Sequence, residues 1–183
     1  MASFDYSDNI ISTTDVLKKL RRKDKNTIDE RLYIRSRLFD MLLGDWDRHG
    51  DQWRWAKSGE SEGKDLYKPV PRDRDQVFSD FDGLFLGLVT RMIPGVRMMQ
   101  NYTPEIRSLK WFNVEPFPLD MAVLNSHTLE DWKEEAEYIR TRISPEIVDE
   151  AFSYLPEELD PPRINPRRGM IKRLESRKRP GNW

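Results

Sequence analysis

Between Thr27 and Val70 the chain carries a helix with a defined start and stop and a pair of strands behind it, and this order restricts the fold more than any other feature. Thr27 with Glu30 forms a capping box. Leu32, Ile34 or Arg35, Leu38, Phe39, Leu42 and Leu43 then recur at near-helical spacing, so a helix is expected to about Leu43. Gly44 follows, and glycine takes the left-handed conformation that ends a helix. Gln52 to Ala56 and Leu66 to Val70 read as two short strands around the polar loop Lys57 to Asp65, whose two glycines favour a turn. The residues between Gly44 and Gln52 are thereby a loop suspended between a helix end and a hairpin.

Helix signals recur elsewhere. Thr13 or Thr14 caps a short segment from Asp15 to Arg22, and the first 45 residues are expected to be helical, with no strand that carries a phosphate-pairing Lys. The apolar stretch Asp82 to Val89 reads as a buried helix leading to Pro94, and Thr103-Pro104 as the N-cap and first residue of another. Thr128 with Asp131 makes a capping box for Leu129 to about Arg142, and Ser144-Pro145 opens a helix through Tyr154. Pro156, Pro161, Pro162 and Pro166 then interrupt the pattern before a helix from Arg168 to Ser176. The expected fold is mainly α within an α+β class: a helical domain over residues 1–160 with one short β-hairpin, and a basic tail or docking arm over 161–183.

A chain of 183 residues is the size of one domain. Its eight Phe, six Trp and six Tyr supply the anchors that a disordered chain lacks. Trp46, Trp53 and Trp55 read as core residues, as do Met92, Met98 and Met99. A formal net charge of −1 points neither to nucleic acid nor to an anionic membrane. Charge is nevertheless uneven, with 11 acids against 3 bases from Thr128 to Asp160 and 8 bases against 1 acid from Pro161 to Trp183. The basic segment reads as a solvated arm or a dock for the acidic helices before it, and specific nucleic-acid binding is not expected. The absence of cysteine excludes disulfides, thiolate metal sites and a thiol nucleophile. Two histidines are too few for a multi-histidine metal centre, and His127, ahead of a helix cap, reads as a surface residue. No apolar run approaches the roughly 20 residues that span a bilayer, and Met1 to Tyr6 lacks the basic and apolar regions of a signal peptide.

The loop itself is Gly44-Asp45-Trp46-Asp47-Arg48-His49-Gly50-Asp51-Gln52-Trp53, and beyond the hairpin comes Pro71-Arg72-Asp73-Arg74-Asp75-Gln76. Phosphoryl transfer requires a carboxylate to accept the proton of the attacking hydroxyl, oxygen ligands for Mg²⁺ and positive groups for phosphate. Asp47 and Gln52 stand in the spacing D-x-x-x-x-Q, which matches the catalytic Asp and metal-binding Asn of the kinase loop. Asp73 lies 26 residues after Asp47, where a kinase delivers its second metal carboxylate across a hairpin. Arg48, Arg72 and Arg74 are placed to neutralise carboxylates or contact phosphate.

On these residues the chain resembles atypical kinase-like enzymes, among them the HipA-type protein kinases, the type II phosphatidylinositol 4-kinases and the secretory-pathway casein kinases. Asp47 to Trp53 is similar to their catalytic loop, and Asp73-Arg74-Asp75 to their Asp-x-Gly metal motif. This likeness covers about Leu32 to Phe78. A closer one, from about Thr14 to Pro156, is carried by Arg37 to His49 and Pro71 to Gln76. It is to the middle region of large bacterial envelope proteins, in which a calcineurin-like phosphoesterase region precedes and an outer-membrane barrel region follows. The resemblance implies a helical, C-lobe-like half of an ATP- and Mg²⁺-dependent phosphotransferase. Asp47 would act as base with Arg48 and His49 steadying the loop, Arg72 and Arg74 would face the nucleotide, and Gln52, Asp73 and Asp75 would face the metal. It implies as partners a nucleotide-binding lobe or the remaining domains of a larger parent, and a periplasmic or outer-membrane-associated location, with the cytoplasm as the alternative. Gln52 stands for the usual Asn, Asp75 stands for the glycine, and no Gly-rich loop precedes Asp47. Two other readings stay open: a non-catalytic kinase-like interaction module of a cell-envelope protein, and a metal-dependent phosphoester hydrolase using Asp45, Asp47, Asp73 and Asp75.

Overall fold

The computed structural model describes residues 10–22, 25–81, 93, 96–154 and 166–176. Among these the fold is a mixed α+β one, with seven α-helices and a four-stranded sheet. In chain order they are β1 (Ile10–Ser12), α1 (Thr13–Leu20), β2 (Asn26–Ile28), α2 (Glu30–Leu43), a 3₁₀ turn (Gly50–Gln52), β3 (Trp53–Ser61) and β4 (Lys64–Pro71). The helices α3 (Leu109–Phe112), α4 (Phe117–Val123), α5 (Leu129–Arg142), α6 (Pro145–Ser153) and α7 (Pro166–Ser176) follow.

The expected hairpin is present and longer than its sequence suggests. β3 pairs with β4 out to Ser61 opposite Lys64. Glu62 and Gly63 both have positive φ, the requirement of a two-residue I′ turn. Gly59, at φ +87°, sits within the register shift between Lys57 and Glu60, where a left-handed glycine relieves a bulge. Of the two glycines that marked a loop, one makes the turn and the other the bulge.

The first 45 residues are not wholly helical. β1 adds to the hairpin antiparallel to β3, with Ile11 opposite Trp55, and β2 adds parallel to β4, with Thr27 opposite Leu66, giving the order β1-β3-β4-β2. Thr27 is therefore a strand residue and not a cap; Asp29 caps α2, its carboxylate accepting the Leu32 N–H at 2.9 Å. Likewise Ser12, not Thr13 or Thr14, caps α1 through the Asp15 N–H. No helix begins at Thr103-Pro104; Ser108 caps the next one, α3. The Thr128–Asp131 box and the Ser144 cap stand where the sequence puts them. The helix expected over Asp82 to Val89 lies outside the described residues.

Two apolar clusters share α2. Tyr33, Ile34 and Leu38 pack with Trp53, Trp55 and Tyr67 of the hairpin and with Leu119 and Val123 of α4. One turn on, Leu42 packs with Tyr102, Val148, Met170 and Leu174. The helix within the basic segment starts at Pro166 and buries Met170, Arg173 and Leu174. His127 is half-buried rather than on the surface, with Nε2 against Glu30 and Nδ1 3.5 Å from Asp131, and so ties the start of α5 to the start of α2. Among the described residues no helix is long and apolar enough to cross a membrane.

Candidate functional site: the loop after α2

The loop begins where α2 must end. Gly44 is left-handed (φ +79°), and its N–H and that of Asp45 both return to the Asp40 carbonyl. Residues 45–49 then run without regular structure to His49, whose Nδ1 accepts the Asp51 N–H at 3.3 Å and so caps the 3₁₀ turn. That bond leaves the proton of a neutral ring on Nε2, which faces Asp47 Oδ1 at 3.8 Å. From the start of α1, Thr13 donates to the Gly50 carbonyl (2.7 Å) while accepting from the Trp55 indole of β3 (3.0 Å).

One guanidinium joins this loop to the segment after β4. Arg48 is fully buried over the Trp53 ring. Its Nη1 donates to the carbonyls of Arg72 (2.6 Å) and Asp73 (3.2 Å), its Nη2 to Gln52 (3.3 Å) and its Nε to the Asp40 carboxylate (3.2 Å). The Arg72 N–H closes the junction on the Gln52 carbonyl at 2.8 Å. Asp47 and Gln52 on one segment and Asp73, 26 residues beyond Asp47, on the other are thus tied together by the Arg48 side chain and one backbone hydrogen bond.

Beneath them lies a charge network that the sequence did not reveal. Asp40, fully buried on α2, receives Arg37 Nη1 at 3.3 Å as well as Arg48, and Arg74 Nη1 stands 2.7 Å from its other oxygen. This last contact is ionic only, because neither atom has a hydrogen bond there. Burial raises the Asp40 carboxyl, and Arg48, Arg37 and Arg74 pull against that rise. Arg37 continues to Asp120 of α4 (3.1 Å) and Asn113 (2.8 Å), and Tyr33 donates to the same Asp120 at 2.8 Å.

Asp45 is the unbalanced member. It is fully buried, Arg48 is 3.7 Å away, and both of its oxygens lack a hydrogen bond. Burial pushes its carboxyl up to about 7, only partly opposed by Arg48. The folded chain therefore holds a proton that the unfolded chain, near 3.8, has lost. The stability that Asp45 contributes therefore falls as pH rises from about 4 to about 7 and is level above that. Asp45→Asn removes the buried charge and is expected to be more stable than the parent by about 2 kcal/mol at about pH 8.5 and equal to it at about pH 4. Urea unfolding at both pH values reads this; a variant less stable than the parent at the higher pH contradicts it.

The residues that the sequence singled out divide into two groups. Arg48 and Arg74 belong to the scaffold, Arg74 also lying over the Phe39 ring. Asp47, with its side chain 28% exposed, makes no hydrogen bond among the described residues, nor does the amide of the buried Gln52. Arg72, Asp73 and Asp75 are exposed, and none has an ion partner among the described residues. Asp73 is also held left-handed (φ +48°), a conformation that Asp tolerates better than most residues. No group of three or more His, Asp or Glu side chains is arranged to hold a metal ion among the described residues. Arg37 and Asp40 are the residues that sequence reasoning missed as part of this site. Their one signal was the i, i+3 spacing of Arg37 and Asp40. Compared with known proteins, the chain matches no family model, no curated protein and no solved structure, so the role of this loop rests on its own geometry.

Proposed function

We propose that this chain is the helical, catalytic-loop half of an atypical kinase-like phosphotransferase that uses Mg-ATP. The observation that carries the reading is a division of labour among the acids. Asp40 and Asp45 are buried against arginines, whereas Asp47, Gln52 and Asp73 keep uncommitted oxygens on two segments joined by Arg48. Asp40 is compensated by arginines and Asp45 is shut away from solvent, while the oxygens proposed for the chemistry are left available.

In this reading Asp47 accepts the proton of the attacking hydroxyl and His49 orients it. Gln52 and Asp73, with Asp75 next to them, offer oxygens to Mg²⁺, which suits an ion that takes few protein ligands and completes its shell with phosphate and water. Bound there, Mg²⁺ would neutralise charge on the transferring phosphoryl group. Arg72, exposed and without an ion partner among the described residues, is the cation left for phosphate. A nucleotide-binding lobe completes such an enzyme, and we place it in the remaining domains of a larger, cell-envelope parent.

A second reading is favoured by the same network. Arg37, Arg48 and Arg74 are all engaged in the scaffold, as suits a rigid non-catalytic module. Calorimetric titration of Mg-ATP into this chain and into its parent protein separates the two. Asp73→Asn is expected to weaken Mg-ATP binding by about tenfold or more. Asp47→Asn is expected to leave binding in place and to abolish transfer. No binding by the parent overturns the enzyme reading, and a parent whose biological activity survives both substitutions supports the module.

A further inference from the structure

The last four carbonyls of a helix have no partner within it, and a complete account of those of α2 leads away from the loop. The Asp40 carbonyl takes the Gly44 and Asp45 N–H groups, and that of Leu43 takes the Phe78 N–H at 3.2 Å. The remaining two are satisfied from the far end of the chain. Arg173 of α7 donates through Nη1 to Met41 (2.5 Å) and Leu42 (3.1 Å), and the Tyr102 hydroxyl reaches Leu42 at 3.4 Å. The Arg173 Nε donates to the Thr103 carbonyl (2.8 Å), and its guanidinium lies 4.2 Å from the centre of the Tyr102 ring. A cation at the carbonyl end of a helix also meets the negative end of its dipole.

Tyr102 fits there because two glycines flank it. A Cβ on Gly44 would stand 2.6 Å from one ring carbon, and a Cβ on Gly169 of α7 would stand 2.6 Å from another. The first glycine ends α2 and opens the acidic loop; the second belongs to α7. Both are built to the same ring.

We infer that α7 is a latch that closes the carbonyl end of α2 and thereby sets the order of the Asp45 to Gln52 loop. At 11 residues α7 is too short to persist as an isolated helix, so it is either docked and helical or undocked and unfolded. Met170, Arg173 and Leu174 are buried against the body, while Lys172 is exposed. Undocking takes away the donor for Met41, one of the two donors for Leu42 and one wall of the Tyr102 slot, and the residue directly affected is Gly44. The device rests on the proposed function only in its link to Mg-ATP; the link to loop order stands on the contacts alone.

Hydrogen exchange of the full chain tests it. Arg173→Met is expected to speed exchange of the amides of residues 44–52 by about tenfold, within the range typical of coupled sites, and to leave the β3 and β4 amides unchanged. Lys172→Ala, on the outward face, changes neither. Should Arg173→Met fail to fold, Met170→Ala is read in the same way. Loop amides that keep the parent rate while those of α7 exchange faster overturn the latch. In calorimetry the same variants are expected to weaken Mg-ATP binding by about tenfold. If the parent protein binds no Mg-ATP, the phosphotransferase reading falls and the exchange result still decides the latch.

Discussion

Asp40→Asn is expected to lower the unfolding free energy by about 4 kcal/mol in urea titrations near neutral pH. The carboxylate is fully buried and faces Arg37, Arg48 and Arg74. An amide of the same shape keeps one acceptor and turns the other atom into a donor pointed at donors. Arg74, partly exposed, can turn to water, whereas Arg37 and Arg48 are fully buried and cannot. Arg37 retains Asp120, and Arg48 is left with Asp45 at 3.7 Å. Removing one partner of a buried pair costs far more than the pair contributes, because the remaining charge stays dehydrated. Arg48 lies 4.7 Å from the centre of the Trp53 ring, so a change in tryptophan emission should accompany the loss. A loss under about 1 kcal/mol would show that the network is not stabilising in the way described.

Gly44→Ala is expected to cost about 3 kcal/mol, and two other glycines separate the causes. At Gly63, φ is +73° and nothing lies within 4 Å of the place an added methyl would take, so alanine there meets only backbone strain, about 1 kcal/mol. At Gly169, which is not left-handed, alanine meets the Tyr102 ring at 2.6 Å and only overpacking, about 2 kcal/mol. Gly44 combines left-handed backbone (φ +79°) with the same 2.6 Å approach to Tyr102. Its loss should approach the sum of the other two. Chemical denaturation of the three single variants checks this; Gly44→Ala no worse than Gly63→Ala would mean that the Tyr102 slot yields freely.

What the sequence disclosed was local, and what it hid was tertiary. Thr128 with Asp131, Ser144 before Pro145 and Gly44 after Leu43 act within one turn of chain, and each stands where its residues predict. β1 and β2 are three residues long, too short for any periodic signal, and exist because the hairpin offers them edges. The polar residues Lys57 to Ser61 read as loop because their strand lies where side chains reach water, and pairing there depends on the partner strand and not on burial. On α2 the periodic signal covered the apolar residues only, and nothing local places Arg37 and Asp40 inside, where Arg48, Arg74 and Asp120 arrive from other elements to compensate them. The candidate loop was legible by position and residue type. That Asp45 is buried while Asp47 is not follows from the way Arg48 closes on Arg72 and Asp73, 24 and 25 residues further along the chain.

The capping of α2 from Phe78, Tyr102 and Arg173 also sets an order of events during synthesis. Met41 and the arginine that satisfies its carbonyl are 132 residues apart. At roughly 5–20 residues per second, a ribosome releases the second many seconds after the first. For that interval the helix, its hairpin and their shared core can form while the Met41 carbonyl at the mouth of the loop remains open to water. The loop that carries Asp45 and Asp47 is therefore the last to set. A nascent chain arrested before α7 should show the hairpin protected and the loop still exchanging.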